Sequence, residues 1–266
     1  MQPILNIAVQ AARRAGDLIV RSLGRLDSLD VASKGRNDFV CEIDRRAEQE
    51  IISFIRKMHP GHAILAEESG RSGQDENLWI IDPLDGTTNF LHGNPVFAVS
   101  IAFERRGRLE NAVVYDPMRQ ELFTASRGEG SQVDGRRMRV SKQQELTGAL
   151  IGTGFPYRAN ARWLEPYLSM LRVVMSSAAG VRRPGAAALD LAFVAAGRLD
   201  GFWEIGLSPW DTAAGTLLIT EAGGLVSTLS GAEYTQGGNI LCGNPKVHAA
   251  LIEALTPYVP DELRNA

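Results

Sequence analysis

The stretch Trp79-Ile80-Ile81-Asp82-Pro83-Leu84-Asp85-Gly86-Thr87-Thr88-Asn89-Phe90 decides how the rest of the chain reads. Its first three residues are bulky and apolar, as at the end of a strand leaving a buried sheet. Pro83 removes a backbone donor and biases Asp82 away from helical geometry, so the chain turns directly after the first carboxylate. Asp85 follows on that turn, and Gly86 lets the backbone approach a ligand closely. Thr87, Thr88 and Asn89 then supply hydroxyl, amide and backbone N–H groups. Two fixed carboxylates beside N–H donors suit a hard cation and a phosphate together. An Asp-Pro-x-Asp string alone reads equally well as a capped turn; the hydroxyls that follow tip the reading toward chemistry.

Upstream, Ala63–Ala66 reads as a strand that delivers Glu67-Glu68-Ser69-Gly70 to its C-terminal end, followed by a polar loop over 71–77. Residues 3 to about 23 form an amphipathic helix with Pro3 in its first turn. Lys34-Gly35-Arg36-Asn37-Asp38 is turn-forming and Phe39-Val40-Cys41-Glu42-Ile43 extended. Asp44 stands at the N-cap of a second helix carrying Ala47, Ile51, Ile55 and Met58. Downstream, the pattern from 96 to about 140 is antiparallel β: strands over 96–104, 109–115, 121–125 and 130–133, with Asp134-Gly135 as a hairpin signal. Beyond Thr147 strands (149–153, 201–205, 225–229, 240–242) alternate with helices (163–174, 186–196, 211–222, 246–255). The expected fold class is mixed α/β (α+β), in layers rather than as beads on a string. The N-terminal half, 1–145, holds the antiparallel sheet and most candidate ligands; the C-terminal half, 146–266, supplies Asp211 and Glu204. The two are expected to form one compact unit.

Composition excludes several classes. Lys plus Arg number 28 against 31 Asp plus Glu, a net charge of −3, which offers no basic face for direct nucleic-acid binding. Cys41 and Cys242 are too few for a disulfide framework, so a reducing cytoplasm is expected. The four histidines form no H-E-x-x-H and there is no C-x-x-C, so a metal site must be built from oxygen ligands. Arg13 and Arg14 break the N-terminal apolar pattern, so neither a signal peptide nor a membrane span is expected. Neither a Cys-x₅-Arg loop nor a G-x-x-x-x-G-K-[ST] loop is present, against a thiol phosphatase or a P-loop enzyme.

Taken singly, the other candidates have plain readings. Glu67-Glu68 alone is a solvated strand end, although open α/β sheets put ligand groups there. Asp211, after Pro209-Trp210, reads as a helix cap, which does not prevent it from binding metal. Glu204, between Trp203 and Ile205, reads as part of an exposed strand face. Arg182-Arg183 before Pro184-Gly185 is a solvated pair or an anion site.

Together they carry a resemblance. Ala66-Glu67-Glu68-Ser69, the stretch from Trp79 to Phe90, and Trp210-Asp211-Thr212-Ala213-Ala214-Gly215 with Glu221-Ala222-Gly223-Gly224 resemble the signatures of the inositol monophosphatase family. Gly185-Ala186-Ala187-Ala188-Leu189-Asp190 is similar to a helix start of that family, with Ala186 where a hydroxyl residue is often found. Leu5-Asn6-Ile7-Ala8, Tyr115-Asp116-Pro117-Met118-Arg119 and Gly154-Phe155-Pro156 resemble a bacterial branch associated with RNA polymerase and the Nus factors of ribosomal RNA antitermination.

The resemblance implies an αβαβα sandwich and magnesium-dependent hydrolysis of inositol monophosphate by a metal-activated water. It also implies lithium inhibition and a homodimer. By motif position, Glu67, Asp82, the Leu84 carbonyl and Thr87 would surround one Mg²⁺; Asp82, Asp85 and Asp211 would hold a second; and Glu67 would assist a looser third. Thr87 and Asp44 would orient the attacking water. Asp85, Gly86, Thr87, Thr88, Gly185, Ala187, Glu204 and Asp211 would surround the substrate, with Glu204 accepting from ring hydroxyls. Carboxylates packed this closely repel one another unless divalent ions compensate them. The alternatives are a phosphatase for another small phosphomonoester (a sugar bisphosphate or a 3′-phosphoadenosine nucleotide) and a protein that serves chiefly as an antitermination partner.

Overall fold

The run Leu78 to Ile81 is apolar at every position because both faces of its strand are covered. Leu78 and Ile80 enter one buried cluster, Trp79 and Ile81 another. A computed structural model describes residues 3–28, 31–35, 38–156 and 158–264. In chain order the first elements are α1 (Pro3–Ser22), the hairpin β1 (Val31–Gly35) and β2 (Asp38–Cys41), α2 (Glu42–Met58), β3 (Ala63–Ala66) and β4 (Gly70–Ser72). Then come β5 (Asn77–Asp85), α3 (Thr87–Leu91), β6 (Ala98–Arg105), β7 (Arg108–Asp116), β8 (Glu121–Ser126), β9 (Gly130–Val133) and β10 (Arg136–Arg137). The remainder is β11 (Leu150–Thr153), α4 (Leu164–Ser177), β12 (Gly180–Arg182), α5 (Ala187–Ala195), β13 (Gly201–Leu207), α6 (Pro209–Glu221), β14 (Leu225–Ser227), β15 (Gly238–Gly243), α7 (Pro245–Leu255) and α8 (Asp261–Arg264).

Two sheets organise these elements. The eight-stranded sheet runs β10-β9-β8-β7-β6-β5-β3-β4 and is antiparallel except where β3 lies parallel to β5. The five-stranded sheet runs β12-β11-β13-β15-β14, with β11 parallel to both its neighbours. Helices α1 and α2 cover one face of the large sheet with Ala8, Ala11, Ala15, Ile51 and Ile55, against Trp79, Ile101, Phe103 and Val113. Helices α5 and α6 lie between the sheets, and their many alanines let the layers approach closely. On the far side of the small sheet α4 and α7 pack Tyr167, Met170, Val247 and Leu251 onto Trp203 and Leu241. The result is the expected mixed α/β fold in αβαβα order. Burying Trp79 and Trp203, each 0% exposed, contributes roughly 2–3 kcal/mol apiece. Among the described residues no helix is long and apolar enough to cross a membrane.

Local departures from the sequence reading have simple causes. The polar stretch after Glu68 is not all loop: β4 pairs antiparallel with β3, an edge strand whose side chains meet solvent and so lack an apolar signal. Asp44 does not cap α2, which starts at Glu42 and puts Asp44 inside its first turn. Nor does Asp211 open its helix: α6 begins at Pro209 behind the N-cap Ser208. The segment 225–229 is extended only to Ser227. The expected turn over Lys34–Asp38 includes Arg36 and Asn37, which lie outside the described residues.

Candidate active site

The site grows from the end of β5. The ladder between β5 and β6 shifts register between Asp82 and Asp85, where Pro83 interrupts the donors. The Asp82 carboxylate folds back so that its Oδ1 accepts the Leu84 N–H at 3.0 Å. Gly86 then takes φ +90°, and a Cβ there would sit 2.8 Å from the Val96 carbonyl. Only glycine meets both demands cheaply. Thr87 starts α3, and its hydroxyl donates to Asp44 Oδ1 at 2.8 Å, with the Leu84 carbonyl 3.2 Å away. Asn89 braces the turn from the other side: its Nδ2 donates to the carbonyls of Val96 at 2.8 Å and Pro184 at 2.9 Å.

The other carboxylates come from separate elements. The Glu67 N–H donates to the Ile81 carbonyl at 3.2 Å, which places Glu67 beside the end of β5. The neighbouring Glu68 N–H donates to Glu48 Oε2 at 2.7 Å, so buried Glu48 holds this corner. Asp211 is set by the start of α6, where its Oδ2 accepts the Ser208 N–H at 2.6 Å. That start is anchored twice. Ser100 Oγ donates to the Trp210 carbonyl at 3.2 Å, and the Tyr234 hydroxyl donates to Thr212 Oγ1 at 3.1 Å. Asp85 Oδ2 accepts the Ala188 N–H at 2.8 Å, so a carboxylate from β5 caps α5 from outside.

Asp82, Asp85 and Asp211 each bring one oxygen within 4.8 Å of the others. Burial pushes the Asp82 carboxyl well above the usual range, and Glu67, Asp85 and Asp211 push it further. Burial and then Asp211 do the same to Asp85, against the pull of the Ala188 N–H. Buried like charges of this kind ask for a cation, and an all-oxygen set suits a hard divalent one.

These groups wall a cavity of about 800 Å³. Glu67, Asp82, Leu84, Asp85, Gly86, Thr87, Thr88, Gly185, Ala187, Glu204 and Asp211 all line it. Asp44, fully buried, sits behind Thr87. Glu204 is not on an exposed strand face: it shares the side of β13 that carries Phe202, and there it turns into the cleft. Arg182 is exposed on the edge strand β12, whereas Arg183 lines the cavity with its guanidinium 5.0 Å from the Phe155 ring centre. Sequence reasoning passed over two contributors. Gly154 matters because a Cβ there would overlap the Glu204 carboxylate. Asp190 also lines the cavity, and its signal was a single acid in the otherwise apolar run Ala187–Ala195.

Comparison with known proteins agrees with this geometry. A model of the inositol monophosphatase family matches residues 1–259. A Pseudomonas aeruginosa protein named Nus factor SuhB is 56% identical, with both chains covered over their full length. The crystal structure of the extragenic suppressor protein suhB from Bartonella henselae superposes with a TM-score of 0.94 at 45% identity, covering 97% of this chain and 100% of that one. An inositol monophosphatase (IMPase) structure from Thermotoga maritima has a TM-score of 0.88 at 33% identity, covering 97% of this chain and 98% of the other.

Proposed function

The chain belongs to the inositol monophosphatase family, and from that premise we propose that its cleft hydrolyses a small phosphorylated polyol, inositol monophosphate above all, with Mg²⁺. The observation that carries this reading is the convergence of Asp82, Asp85 and Asp211 within 4.8 Å, beside the turn at Gly86 and Thr87. Glu67, Asp82, the Leu84 carbonyl and Thr87 would hold one ion, Asp82, Asp85 and Asp211 a second, with Glu67 assisting a third. Bound there, magnesium supplies the positive charge that neutralises a phosphoryl group and its leaving oxygen and acidifies water.

The chain's own residues do the positioning. Thr87 commits its hydroxyl hydrogen to Asp44 at 2.8 Å, which leaves its oxygen as the acceptor for a proton of the attacking water. Asp44 then takes charge density through that bond as the general base behind Thr87. Backbone N–H groups of Gly86 and Thr87 face the phosphate. Thr88, Gly185 and Ala187 complete the wall, and Glu204 accepts from hydroxyls of the leaving polyol. Halves 1–145 and 146–266 act as one unit in this reading, because the ligand set draws on both. Uncatalysed phosphomonoester hydrolysis is so slow that such sites accelerate it by up to about 10²¹-fold.

A second reading is favoured by a different observation. The full-length P. aeruginosa relative carries the name Nus factor SuhB, and this supports a transcription role more strongly than anything supports specificity for inositol. We infer that the chain also acts as a Nus factor, meeting RNA polymerase or its Nus partners through its outer surface, with homodimerisation in competition. One screen tests the enzyme: phosphate release from inositol 1-phosphate, a sugar bisphosphate and 3′-phosphoadenosine 5′-phosphate, with Mg²⁺, with chelator and with added Li⁺. Turnover that needs Mg²⁺ and falls with Li⁺ supports it, and no release from any ester refutes it. Capture of purified RNA polymerase and Nus factors by the immobilised protein tests the partner role, and failure to retain any of them counts against it.

A further inference from the structure

The buried stripe of α2 contains two acids. Beside Ile43, Ala47, Ile51 and Ile55 the helix buries Asp44, 0% exposed, and Glu48, 3% exposed. They stand one turn apart, where like charges repel, and burying each of them is costly. Asp44 is accounted for by the Thr87 hydroxyl that it accepts. Glu48 reaches the other flank of the cleft, where its Oε2 accepts the Glu68 N–H at 2.7 Å. That N–H belongs to the turn between β3 and β4, which the pair Ala66 and Gly70 closes, with Gly70 at φ +71°. The preceding N–H, that of Glu67, goes to the Ile81 carbonyl of β5 at 3.2 Å. Both peptide groups that flank the Glu67 Cα are therefore held, one by β5 and the other by α2. Glu67, which lines the cleft, leaves the turn in a fixed direction. A turn with no task needs no such brace, because water satisfies an exposed N–H as well. A buried carboxylate on that N–H makes a short bond that sets geometry.

Resting on the metal site of the phosphatase reading, we propose that Glu48 is a positioning residue: through the Glu68 N–H it holds the turn that aims the Glu67 carboxylate at the metal ions. Removing a group that orients a metal ligand commonly lowers metal affinity by about 10–100-fold. The test is calorimetric titration with Mn²⁺, without substrate, of the wild type, Glu48→Ala, Glu48→Asp and Glu48→Gln, with thermal melting in chelator as a check on folding. Glu48→Ala loses the acceptor and should weaken Mn²⁺ binding by about 10-fold or more. Glu48→Asp keeps the charge but is one methylene too short, and should weaken it by roughly 3-fold or more. Glu48→Gln keeps both length and an acceptor, and should stay within about 3-fold of wild type. A folded alanine variant within about 3-fold of wild type overturns the proposal. So does an aspartate variant that binds Mn²⁺ at least as tightly as the glutamine variant, because charge without reach is then enough. If the alanine variant fails to fold, the aspartate and glutamine variants decide between them. A wild type that binds Mn²⁺ but releases no phosphate from inositol 1-phosphate refutes the phosphatase reading and leaves the positioning role to these affinities. One that binds no Mn²⁺ removes both.

Discussion

Replacing Asp82 by Asn removes one negative charge from the middle of the carboxylate cluster and changes little else. The residue is 1% exposed, and the Asn Oδ1 can keep the 3.0 Å bond from the Leu84 N–H. Without metal, burial and then Glu67, Asp85 and Asp211 hold the Asp82 carboxyl well above its ordinary 3.8. A pKa raised in the folded state means the folded chain binds that proton more tightly than the unfolded chain. Stability is therefore lost as pH climbs from the ordinary value toward the raised one, and the full penalty is felt above it. The metal-free Asn variant escapes this penalty, so at neutral pH it should be at least as stable as the parent. With metal the order reverses. A cation at 100 times its Kd that binds only the folded state adds about 2.7 kcal/mol. For a chain of this size 1 kcal/mol moves Tm by roughly 2–4 °C. Saturating Mg²⁺ should thus raise the parent's Tm by about 5–11 °C and the variant's by less than about half that. Four calorimetric scans, parent and variant with chelator and with Mg²⁺, measure it. Equal Mg²⁺ shifts, or a metal-free variant clearly less stable than the parent, refute the reasoning.

Three further outcomes are expected. Gly86→Ala must place a Cβ 2.8 Å from the Val96 carbonyl at φ +90°, and should lose about 1–3 kcal/mol in urea denaturation; unchanged stability contradicts the turn geometry. Thr87→Val breaks the 2.8 Å bond to Asp44 and should lower kcat about 10²-fold or more, while Thr87→Ser keeps most activity; steady-state kinetics in which the Val variant matches the Ser variant count against the relay. Asp85→Asn should still capture transcription partners, because the cleft lies inside the fold, whereas Arg182→Ala, at an exposed residue of the edge strand β12, should alter dimerisation or capture. Sedimentation and pull-down decide this, and loss of capture by a folded Asp85→Asn protein contradicts a separate outer surface.

The end of β5 was legible because Pro83 and Gly86 each restrict or free the backbone in a way that few other functions require. The layered fold was legible because an antiparallel run from 96 to about 140 is followed by strands alternating with helices, and the family resemblance supplied the αβαβα order. Other parts depend on contacts that no local pattern carries. Asp44 reads as a cap from its neighbours; the family resemblance alone pairs it with Thr87, 43 positions along the chain, and the fold makes that bond. Glu204 reads as solvated until β13 is paired between β11 and β15, which turns its face inward. The edge strand β4 lacks an apolar alternation because its side chains meet water. Asp190 stands as an acid among apolar residues, and only the tertiary placement of α5 sets it in the cleft wall.

The central claim is that Asp82, Asp85 and Asp211 collect divalent cations. Crystals grown with Mn²⁺ in place of Mg²⁺, measured for anomalous scattering, test it most directly. The account predicts a peak within about 2.2 Å of carboxylate oxygens from these three residues, and its loss in crystals of the Asp82→Asn protein. Clear density for the three side chains with no anomalous peak among them at millimolar Mn²⁺, or with the peak elsewhere on the chain, would contradict it.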